Sequence, residues 1–98
     1  MTGSATLVRT EPVRQRRSEL VLAHAHLRLG SLALARVELE TMAGLGMLDG
    51  AGLVDLAEAR WRTGDLAGAG EAALAALRTE ADDPIALVIA SEAAAALG

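Results

Sequence analysis

Three glycines, Gly30, Gly64 and Gly98, stand 34 residues apart, and each closes a stretch that reads as a helix beginning near Gln15, Gly50 or Pro84. Glycine adopts positive φ without steric cost, so a glycine at the same place after each helix marks a repeated helix end and reversal. Self-similarity at a fixed interval is the signature of a stacked-repeat architecture, and it restricts this chain more than any other feature does.

Sliding the sequence by 34 aligns more than the glycines. Leu22 falls on Leu56 and Ala90, Ala23 on Ala57 and Ser91, and Ala25 on Ala59 and Ala93. Beyond the turn, Leu32 falls on Leu66, Ala35 on Ala69 and Met42 on Ala76. Hydrophobic residues make up 52% of the chain but only 1% are aromatic, so the apolar mass lies in Ala and Leu. That mixture has high helix propensity and little of the β-branched and aromatic content a sheet needs, so the fold class is all-α.

Capping residues predict the same boundaries. Ser31 is placed to cap the helix opening at Leu32, Asp65 the one opening at Leu66, and Asp83 precedes Pro84, a residue suited to a first helical turn. Gly44 and Gly46 end a second helix near residues 41–43. Pro12 is placed to open the first helix, which would run to Leu29. Residues 1–11 carry no buried stripe and read as a flexible N-terminal segment.

This pattern resembles the tetratricopeptide repeat family, whose 34-residue units are antiparallel helix hairpins that bury their apolar faces by stacking. The matching residues are Leu53, Leu56, Ala57, Thr63-Gly64-Asp65-Leu66, Ala69 and Ala76 in one unit. In an earlier unit they are Leu22, Ala23, Leu29-Gly30-Ser31-Leu32, Ala35, Leu39 and Met42. The resemblance implies units over residues 16–49 and 50–83 and a half unit over 84–98, about five helices in a short right-handed solenoid over residues 12–98. The motif is degenerate here. The family's large aromatic midway along the first helix is His26, Arg60 or Ala94, and its tryptophan-type position is Glu19, Leu53 or Leu87.

The first helices of such units line a concave face, which here would carry Leu20, His24, Leu27, Arg28, Val54, Glu58, Trp61, Arg62 and Val88. Apolar anchors with a charged rim suit an amphipathic or extended segment of a protein partner. Trp61 is either the anchor of this groove or a plug between helices. Members of the family that bind a peptide's terminal carboxylate use basic and amide side chains, where this chain has Leu20, His24, Val54, Asp55 and Glu58. That mode is not expected. The helix after Pro84 has too many apolar faces for a solvated cap, so Ile85, Val88 and Ile89 are the expected contact with a second copy, most simply a two-fold dimer.

Several classes are set aside. Without Cys there is no disulfide, thiol chemistry or cysteine-ligated zinc, and His24 and His26 lie two apart, on different helix faces, so no metal site or cofactor is expected. No nucleophile or oriented carboxylate accompanies His24, and an enzyme is not expected. A net charge of -4 argues against general nucleic-acid binding, although Arg14, Arg16 and Arg17 form one basic cluster that reads as a solvated cap, a salt-bridging surface or a phosphate contact. No apolar stretch is long enough for a secretory signal or a membrane span, and a cytoplasmic location is the default. Nine Arg with no Lys, amid abundant Ala and Gly, matches the bias of a high-GC bacterial genome. Two function classes stay open. One is an adaptor or scaffold holding a protein partner; the other is a homo-oligomerisation or regulatory module of a larger assembly or transcription regulator.

Overall fold

The structure is a computed structural model that describes residues 2–98, with side chains from residue 12 onward. The flexible segment expected at residues 1–11 falls on residues whose side chains lie outside that description. Among the described residues five helices follow one another: α1 (Thr2–Arg28), α2 (Leu32–Gly44), α3 (Gly50–Arg62), α4 (Leu66–Leu77) and α5 (Pro84–Leu97).

The repeat exists at the level of single hydrogen bonds. After α1, the N–H of Leu29 bonds to the carbonyl of Ala25, Gly30 to Leu27 and Ser31 to His26. After α3, Thr63 bonds to Ala59, Gly64 to Trp61 and Asp65 to Arg60, the same three bonds 34 residues on. The backward bond from the second residue past each helix makes both ends Schellman turns, which require a left-handed residue. Gly30, Gly64 and Gly98 supply it, with φ of 83°, 89° and 85°.

Aspartates start three of the helices. Asp49, Asp65 and Asp83 each accept a hydrogen bond from a backbone N–H three residues on, at Gly52, Gly68 and Ala86, at 2.7 to 2.9 Å. Ser31 was expected to cap α2, yet its side chain makes no such bond. Its backbone (φ -79°, ψ 67°) is close to that of Asp65 (φ -94°, ψ 79°), so the difference lies in reach: a carboxylate oxygen stands one bond farther from the backbone than a hydroxyl.

The core is built mostly from alanine. Leu27, Leu39 and Ile89 are the largest fully buried side chains, and Ala23, Ala35, Ala57, Ala59, Ala69 and Ala73 are also fully buried. Small side chains let helix axes approach closely, and the closest approach is at Gly70, where an added Cβ would sit 2.8 Å from that of Ala93. Register equivalents share this burial: Ala23 with Ala57, Ala35 with Ala69, Leu39 with Ala73 and Met42 with Ala76. Leu22 is an exception, half exposed where Leu56 is buried. Leu56 lies one turn before Arg60, on the side that meets α2; no described helix stands in that place over Leu22.

Successive helices pack on one another, and α1 also touches α3 as α3 touches α5. The even-numbered helices α2 and α4 make no direct helix contact. The odd helices therefore converge on one side of the stack and the even ones diverge on the other, which is the placement that builds the site below.

Where alanine packing gives way to charge is the seam between α2 and α3. Arg60 donates to both oxygens of Glu40, at 2.6 and 2.9 Å, and to the carbonyl of Gly68 at 2.9 Å. Arg36 reaches Asp65 at 2.7 Å and Thr63 at 2.8 Å, fastening the α3–α4 turn to α2. The bond from Arg60 holds the Glu40 carboxyl below its ordinary range, and the Gly68 N–H does the same for Asp65. Lowered carboxylates contribute stability above their ordinary titration range and lose it as pH falls through the lowered native value. Glu40→Gln is therefore expected to cost about 1–2 kcal/mol in urea unfolding at pH 7, the worth of a charge-assisted bond. The difference from the parent chain should shrink steadily below roughly pH 4 as the parent's own carboxylate protonates.

Candidate partner-binding groove

The odd-helix side holds a groove of about 400 Å³ lined by Arg28, Glu58, Trp61, Pro84, Ile85, Val88 and Ile89. Each wall has a local cause. Pro84 at the start of α5, with Asp83 capping behind it, sets Ile85 and Val88 one turn apart on the open side, where they are 42% and 52% exposed. Glu58 and Trp61 are likewise three apart on α3. Arg28 is the last residue of α1, and the Schellman turn that follows it leaves its side chain free to cross to α3.

Glu58 is the polar hinge of the site. Its carboxylate is nearly buried and accepts from Arg28 of α1 and, at 3.1 Å, from Arg62 of α3. Two guanidinium groups on one carboxylate leave a surplus positive charge at this end, on side chains that stay 47% and 39% exposed. Both arginines also stand in the last turns of their helices, where the helix dipole favours cations. Beside them His24 Nδ1 and Asp55 Oδ2 are 2.8 Å apart. Burial pushes the Asp55 carboxyl above its ordinary range, opposed by the His24 contact.

The structure divides the residues expected on this face. Arg28, Glu58, Trp61 and Val88 meet in the groove, with Arg62 joined through Glu58. Leu27, expected there too, is fully buried, because Ala23 and Leu27 lie one turn apart on the side of α1 that meets the core. Leu20 is half-buried and lines a separate cleft with Arg16, Arg17, Met47 and Leu48. Val54 is half-buried against the core, and His24 is occupied by Asp55. Of the residues expected to meet a second copy, Ile85 and Val88 line the groove instead, and Ile89 is buried between α5 and its neighbours. Trp61 satisfies both of its readings: it is half-buried against the core and its remaining surface faces the groove.

His26, at the family's aromatic position, bridges α1 to α2 through Glu38 at 2.6 Å. The ion pairs of Arg36 and Arg60 were missed. Their signal was the set of charges at positions where the repeat elsewhere carries small or apolar residues: Arg36 opposite Gly70, Glu40 opposite Leu74 and Arg60 opposite Ala94.

Among the described residues, no group of three or more His, Asp or Glu is placed to hold a metal ion, and no helix is long and apolar enough to cross a membrane. No protein-family model, curated protein or solved structure matches this chain.

Proposed function

We propose that this chain is a non-catalytic, tetratricopeptide-like module that holds a segment of a partner protein in the groove formed by α1, α3 and α5. The observation that carries the reading is an apolar floor of Trp61, Ile85 and Val88, open to solvent and closed at one end by the Arg28–Glu58–Arg62 cluster. A large aromatic beside aliphatic side chains, with charge at the rim, is the arrangement that concentrates binding energy in protein interfaces. The hydrogen-bonded turns repeated every 34 residues and the convergence of the odd helices support a stacked-hairpin origin for the groove.

Trp61 is the only tryptophan, so its emission reports the groove directly. Peptides selected from a random display library on this chain should carry apolar anchors and shift Trp61 emission on binding. Val88→Glu should weaken them by roughly 30-fold or more, the equivalent of about 2 kcal/mol at an interface centre. Binders that leave Trp61 emission unchanged and tolerate Val88→Glu would overturn the reading.

A further inference from the structure

A second face, separate from the groove, has a register of its own. Between α4 and α5 lies a depression of about 300 Å³ lined by Gly70, Leu74, Ala90, Ala93, Ala94 and Leu97, with Gly98 at its end. None of these residues is charged, and Leu74 and Leu97 are 57% and 61% exposed.

Subtracting 34 places this depression on the seam between α2 and α3. Gly70 corresponds to Arg36, Leu74 to Glu40, Ala94 to Arg60 and Leu97 to Thr63. At that seam these four side chains grip the polar start of α4, through Asp65 and the Gly68 carbonyl. At the α4–α5 position the same places offer no donor or acceptor in a side chain. A polar, aspartate-capped helix start has nothing to bond there. What fits is the side of an apolar helix.

Such a helix is present in every copy of the chain. Around α5, Ala86, Ile89 and Ala93 form the buried side, and Ile85 and Val88 face the groove. Leu87, Ala90, Ala94 and Leu97 fall on a third side, within an arc of about 80° at 100° per residue. Their 3-4-3 spacing is that of a helix-pairing seam. Glu92, the one charge on α5, lies roughly 160° from Ala94 by the same geometry and is kept out of this contact.

We infer that the α4–α5 face is a two-fold interface, in which α5 of a second copy lies antiparallel on α5 and in the depression beside Leu74. An isologous contact brings each patch against itself, and an uncharged patch does so without like-charge repulsion. The interface goes beyond the partner groove and leaves it open, since Val88 and Trp61 belong to a different side.

Sedimentation equilibrium of the 98-residue chain tests this, with an expected mass of twice 10.0 kDa at micromolar concentration. Ala94→Glu and Leu97→Glu, both at exposed positions, should weaken self-association at least a hundredfold while circular dichroism keeps its helical signal; Val88→Glu should leave the dimer intact. Because the chain has no Cys, Ala94→Cys should form a disulfide with its own copy on mild oxidation and Val88→Cys should not. A monomer at every concentration, or a dimer indifferent to both glutamates, would overturn the interface without touching the groove.

Discussion

Leu27→Ala is expected to lower the unfolding free energy by about 2–4 kcal/mol, as removal of a fully buried leucine does when the surroundings relax only in part. That is a large share of the stability of a small domain, which totals about 5–15 kcal/mol. The effect should exceed the average leucine's here. Only Leu27, Leu39 and Ile89 are large and fully buried, and the alanines around them have no rotamers with which to fill the gap. Urea unfolding followed by circular dichroism measures it. A loss under about 1 kcal/mol would mean that Leu27 faces solvent, as first expected from its spacing.

Gly70→Ala should also destabilise, although alanine is the better helix former by about 1 kcal/mol. The new methyl would lie 2.8 Å from the Cβ of Ala93, which has no freedom to move aside, so α4 and α5 must separate. Overpacking of this kind costs about 1–3 kcal/mol, enough to cancel the propensity gain and leave a net loss. The pair Gly70→Ala with Ala93→Gly restores the spacing and should recover the contact loss, although glycine at 93 carries its own helix cost. A double-mutant cycle in thermal or urea unfolding separates the two contributions: the coupling between positions 70 and 93 should be favourable and above about 0.5 kcal/mol.

Much of the stack is legible in the residues, for a physical reason. Turns are local: the glycine at position 64 and the aspartate after it determine the helix end and the next start by bonds spanning five residues at most. Asp49 could have been read in the same way, one residue before Gly50, since aspartate is a preferred cap. The faces were harder. Leu20, Leu27 and His24 were placed on one surface by spacing alone, whereas the structure buries Leu27, turns Leu20 into another cleft and ties His24 to Asp55. In an alanine-rich helix the apolar stripe has soft edges, and an error of one position rotates the assignment by about 100°. The ion pairs across α2 and α3 were invisible for a different reason. Arg60 and Glu40 are 20 residues apart, and only the angle between their helices decides that they meet.

The groove belongs to no single hairpin. One wall arrives on Arg28 from the end of α1, the floor comes from Trp61 on α3, and the far side is Ile85 and Val88 of α5. A ligand lying there would splint the first helix to the fifth, so its binding free energy adds to the cohesion of the entire stack. Any partner of this kind acts as a brace, and every substitution that loosens the stack, however far from the groove, lowers its affinity.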